Sequence, residues 1–171
     1  MSLASALHGA ARRGAEMNVT TASIFGELDE WQAMLDGHGE LFADMVPGSS
    51  VAIVPREGSG IQPGKHVAGL KAAGGSGDML RWEVTAGGMR AGIVPYRGFQ
   101  EAKVDLLFVA EAEALDRLRA DIGDETLPLM KRQIRAGGIM FFVMRTKYEL
   151  QDAGYEEFLD SLGLAFLGAC R

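Results

Sequence analysis

With a single cysteine, Cys170, the chain has no internal disulfide, and a lone thiol beside the C-terminus suits a reducing compartment. Neither a nucleophile signature nor a positioned base accompanies that thiol. Only three histidines occur, His8, His38 and His66, in three separate loop or arm regions. None has a second histidine, a cysteine or a carboxylate at ligand spacing, and His38-Gly39-Glu40 lacks the i, i+4 step that lets two side chains share an ion. No metal and no cofactor is therefore expected. Long hydrophobic runs are missing too, none approaching the roughly 18 residues of a membrane span. Residues 1–17 are rich in alanine but broken by His8, Gly9, Arg12, Arg13 and Gly14, unlike the apolar core of a secretory signal. Positive charge is in deficit: the net charge is −6 and the pI near 5.1. That balance speaks against a nucleic-acid partner, which needs a basic footprint, and against anionic membranes. The expectation is a cytoplasmic protein with neither partner.

Catalytic motifs are equally scarce. Gly64-Lys65 follows an apolar strand and invites a phosphate-loop reading, but Ser59 stands five residues before Gly64, where glycine is needed. His66 stands where Ser or Thr would meet magnesium. Gly58-Ser59-Gly60 is too short for a G-x-S-x-G nucleophile elbow. No stretch carries the motif residues of a known family. His66, adjoining Lys65 at a loop end, is the one acid/base candidate.

What is present is the balance of a globular chain: 171 residues, 47% apolar and 23% charged. Residues 1–22 read as a flexible or weakly helical arm, and 23–171 as one α+β domain. Ser23 is a candidate cap for a helix carrying Ile24, Phe25, Leu28, Trp31 and Leu35. Ser50–Pro55 is a short β-branched strand, followed by a glycine-rich loop.

The most informative stretch is 79–110, which reads as a β-meander. Leu80, Trp82 and Val84 alternate with Met79, Arg81, Glu83 and Thr85; after Gly87-Gly88, Ala91 and Ile93 alternate with Arg90, Gly92 and Val94. A two-residue Gly-Gly loop sets Val84 opposite Ala91, Trp82 opposite Ile93 and Leu80 opposite Pro95. A third strand over 103–110 completes the meander. An α-β-α-β run follows, with helices from Glu111 and Thr126. Residues 139–144, apolar on both faces, read as a central strand. A last helix begins at Thr146, with Glu149 forming a capping box, or at Asp152. Residues 164–170 read as a closing strand, with helix as the alternative. The predicted fold is thus α+β, a mixed and mostly antiparallel sheet with helices packed on it.

Two functional classes fit. The first is a non-catalytic interaction module that binds protein, or a second copy as a homodimer, through its sheet face or meander edge. Met79 and Met89, placed near the hairpin's polar side, are its expected contact surface. The second is an enzyme or sensor for a small anionic ligand, with a pocket among the glycine-rich loops. Its candidate ligand-binding residues are Lys65, His66, Arg81, Glu83, Arg90, Tyr96, Arg97 and Arg145, arginines and tyrosines that would have to converge.

Overall fold

A computed structural model describes residues 24–62 and 74–164. Among them are six α-helices and five strands: α1 (Leu28–Gly37), α2 (Gly39–Phe42), β1 (Ser50–Pro55), β2 (Asp78–Thr85), β3 (Gly88–Pro95), β4 (Leu106–Ala110), α3 (Ala112–Ala120), α4 (Thr126–Ala136), β5 (Ile139–Val143), α5 (Lys147–Asp152) and α6 (Glu156–Ser161). The strands form one sheet in the order β3-β2-β1-β4-β5, with β1 parallel to β4 and every other pairing antiparallel. The expected α+β class and its mixed, mostly antiparallel sheet are present. Residues 1–22, Lys65 and His66, and the closing segment after Leu164 lie outside the described residues.

The strand order revises the expected meander. Only β2 and β3 form a hairpin; β4 lies on the far side of β1, paired with it and with β5. Strands β1 and β4 are buried almost throughout, and a strand covered on both faces takes the centre of a sheet. Residues 139–144 were expected in that centre, yet among the described strands β5 lies at the edge. Apolar side chains on both faces report cover above and below the sheet, not a neighbour on each side.

The hairpin register is also corrected. Trp82 faces Ala91, Leu80 faces Ile93 and Val84 faces Met89, a shift of two residues from expectation. A two-residue shift keeps every side chain on its own face, so the hydrophobic pattern accepts either register. The turn decides. Thr85 Oγ1 accepts from Gly87 N–H and donates to Gly88 C=O, which closes the loop on Ala86-Gly87, with Gly88 at φ +103°. Trp82 remains in the core, fully buried.

All six helices contribute buried residues to one face of the sheet. There Trp31 meets Trp82 at 5.8 Å between ring centroids, and Phe158 approaches Trp82 at 6.3 Å. Phe25 joins this core from outside the helix: Gly26, at φ +85°, breaks the chain before Leu28, and the Phe25 carbonyl accepts from Trp31 Nε1 at 2.6 Å. The second face is covered by coil. Ala52, Val54, Leu107 and Val109 pack under Ile61, Tyr96, Phe99, Ala102 and Val104. Met79 and Met89 are each only 4% exposed, Met79 under the coil layer and Met89 under the helices, so neither provides the contact surface expected of it. The final helical segment is two helices. Thr146 and Glu149 form the expected capping box of α5, then Gly154 at φ +81° turns the chain into α6.

Candidate functional site

The sequence-predicted ligand set is dispersed. Arg81 and Glu83 form an ion pair at 2.7 Å within β2, and Arg90 lies directly across from Glu83, exposed. Arg97 is exposed beyond β3. Tyr96 is buried and donates its hydroxyl to the Ser59 carbonyl at 2.8 Å; burial pushes the phenol up to about 12, so it serves as a pin for the 56–61 turn. Arg145 belongs to the other end of the sheet. Arg81, Ala52, Leu107 and Phe142 occupy one row across four strands, and Arg145 lies past Phe142. Three strand spacings therefore separate it from Arg81, about 14 Å. The register does not let Arg81, Arg90 and Arg145 share a ligand.

Arg145 enters a different cluster, centred on Asp105. This residue precedes β4 and is buried. Its Oδ2 accepts from the Tyr155 hydroxyl at 2.6 Å and from Ser50 N–H at 3.1 Å, and its Oδ1 from Arg145 Nε at 2.8 Å. The backbone is tied in parallel, Asp105 N–H to Ser50 C=O and Met144 N–H to Asp105 C=O. One carboxylate thus joins β1, β4, the end of β5 and the start of α6. Burial, with the Asp105 carboxylate beside it, pushes the Tyr155 phenol far up, while Ser49 and the Ser50 carbonyl act in the opposite direction. Tyr155 is therefore a fixed donor and not a base. Ser49 is buried at the same place, lining a cleft of about 250 Å³ with Asp105, Arg145 and Glu149. A serine here has no base beside it to take its proton, since Asp105 is engaged by three donors. The cluster is built as a clamp.

The two edges of the sheet differ. In β3 the groups of Met89, Ala91, Ile93 and Pro95 face outward, because the β2 pairing uses the alternate residues. Gln32 of α1 occupies them as a neighbouring strand would: its amide nitrogen donates to Met89 C=O at 3.0 Å, and its amide oxygen accepts from Ala91 N–H at 2.9 Å. Pro95 has no N–H to offer. In β5 the ladder to β4 continues through Met144 N–H to Asp105 C=O and Glu111 N–H to Gly138 C=O, which leaves Ile139, Phe141 and Val143 facing outward. Among the described residues, no hydrogen-bonding partner meets these outward groups, although Ile139 itself is buried at 2% exposure. The strand carries no charge, Val143 is 48% exposed, and Tyr148 in the first turn of α5 is 73% exposed.

Sequence reasoning found Arg145 but missed Asp105, Tyr155 and Gln32. Asp105 had a signal, being the acid that directly precedes a fully apolar strand. Tyr155 and Gln32 had none, since one reads as core stripe and the other as a solvated helix face. Among the described residues, no three of His, Cys, Asp or Glu gather to hold a metal, and no helix is long and apolar enough to cross a membrane. No protein-family model, curated protein or solved structure matches the chain.

Proposed function

We propose that this chain is a non-catalytic interaction module that self-associates by pairing β5 with β5 of a second copy. The observation that carries the reading is the open, uncharged edge of β5 beside a β3 edge sealed by Gln32. An edge of unpaired N–H and C=O groups is a template for another strand. The outward residues are arranged to match themselves in an antiparallel sense: Phe141 pairs with Phe141 of the second copy, and Ile139 with Val143. Such a two-fold contact is isologous, the commonest form of a dimer. The two sheets would then run on as one. The reading also accords with the Asp105 cluster, whose hydrogen bonds hold structure and leave no activated nucleophile or base.

Light scattering on the full chain tests it. The expected particle has twice the 18.3 kDa mass of one chain, and the Ile139, Phe141 and Val143 amides become slower to exchange as concentration rises. Val143→Pro removes an outward N–H that β4 does not use, a change edge strands tolerate. It should yield a folded monomer. A wild-type monomer at high micromolar concentration, or exchange at these amides that ignores concentration, overturns the proposal.

A further inference from the structure

A second cleft, of about 400 Å³, opens beside the Asp105 cluster on the coil-covered side of the sheet. It is lined by Phe99, Gln100, Lys103, Val104, Met144 and Arg145. Its volume falls in the range of small-ligand pockets, roughly 300–1,000 Å³. Its walls divide by chemistry. Phe99, Val104 and Met144 are apolar, with Phe99 held edge-on to Phe142 at 5.3 Å. Lys103 and Arg145 are cationic.

Both cations are placed by the fold. Arg145 has its Nε fixed on Asp105 Oδ1, while its side chain is 56% exposed, so the two terminal guanidinium nitrogens remain available as a fork. Among the described residues Lys103 makes no ion pair, and it is the one non-glycine with positive φ, +49°. That conformation is unfavourable for a residue with a side chain, and glycine would escape the cost. Asp105 offsets part of the Arg145 charge, and Lys103 leaves the cleft with a net positive character.

We propose that this cleft binds a small carboxylate with an apolar body, such as an aryl acid. The carboxylate sits between Lys103 and the Arg145 fork, and the body lies on Phe99, Val104 and Met144. The site is independent of self-association, because it uses side chains on one face of the sheet and not the β5 edge.

NMR titration of the full chain, followed at the Met144 methyl and the Lys103 and Arg145 signals, tests the assignment with three probes. Phenylacetate should shift these signals at least about tenfold more tightly than its neutral analogue phenylacetamide, the difference of one charge-assisted contact. Inorganic phosphate, which gains nothing from the apolar wall, should bind more weakly than phenylacetate. Lys103→Gly relieves the backbone while removing the charge, so its folding is secure; it should cut phenylacetate affinity several-fold and leave phenylacetamide unchanged. Equal binding of acid and amide, shifts confined to other parts of the chain, or wild-type affinity in Lys103→Gly overturns the proposal. Phosphate binding as tight as phenylacetate overturns the amphipathic ligand.

Discussion

The two edges of this sheet solve the same problem in opposite ways. Outside β3, a glutamine side chain from a helix imitates a strand, giving one donor and one acceptor to Met89 and Ala91. Outside β5, no such substitute is present among the described residues, although the strand is as apolar as its neighbours. An open edge with no charge, bulge or proline lacks the usual guards against pairing. The contrast teaches that closing an edge needs no strand; one well-placed amide is enough. On the proposed reading it is the edge without that device, and not the candidate ligand-binding residues of the hairpin, that carries the contact.

The largest expected effect comes from loosening the open edge at its root. Asp105→Ala strands the Ser50 N–H, leaves the Tyr155 hydroxyl only its longer bond to the Ser50 carbonyl at 3.3 Å, and frees Arg145. The orphaned Ser50 N–H costs about 1–3 kcal/mol and the lost bond of Tyr155 to a charged acceptor about 1.5–3 kcal/mol, so a loss of about 3 kcal/mol or more is expected in urea unfolding. Amide exchange should quicken along β5 before β3. Equal acceleration at the two edges would mean that Asp105 stabilises the fold without singling out β5.

A smaller effect, but a sharper test of the contrast, is Gln32→Ala. The loss of two hydrogen bonds on a partly exposed edge should cost about 1 kcal/mol. Placed in the Val143→Pro background, it should restore weak self-association, now through β3. If that double variant stays monomeric in light scattering, Gln32 is not the guard of the β3 edge.

The last effect is absent at neutral pH and appears only in alkali. Tyr96, just past β3, has its phenol raised from 10.0 to about 12 by burial. For an acid whose folded-state pKa lies above the unfolded one, the stabilising contribution is complete below pH 10 and is lost as pH rises through about 12. Up to about 2.7 kcal/mol should disappear across that interval. Tyr96→Phe should flatten this part of the stability-versus-pH curve; an unchanged slope would assign the loss to other groups.

How much was legible in the sequence follows from the length scale of each signal. Alternation in β2 and β3, the Thr146 capping box and the α+β class are local patterns, and the structure contains all of them. The hairpin register escaped because Thr85, and not the Gly-Gly pair alone, sets the loop, and the hydrophobic pattern cannot distinguish a two-residue shift. The edge position of β5 escaped because periodicity reports on faces only. At the candidate sites, Arg145 was legible as a charge ending an apolar strand. Its partner Asp105, forty residues away in sequence, became visible only when β4 and β5 paired. Lys103 carried no signal, since its backbone conformation arises from the turn that leads into β4.

The Asp105–Tyr155 bond also orders events in time. Ser50 and Tyr155 are 105 residues apart in sequence and Asp105 lies between them, 50 residues before the tyrosine. During synthesis, β1, β2, β3 and β4 all leave the ribosome before Tyr155 exists to meet the carboxylate. Until then the carboxylate has Ser50 N–H and Arg145 as its donors, and the lone pairs that Tyr155 later takes need water in its place. The last helices therefore complete a site that the strands only begin: the third donor to Asp105 comes with Tyr155 and not before.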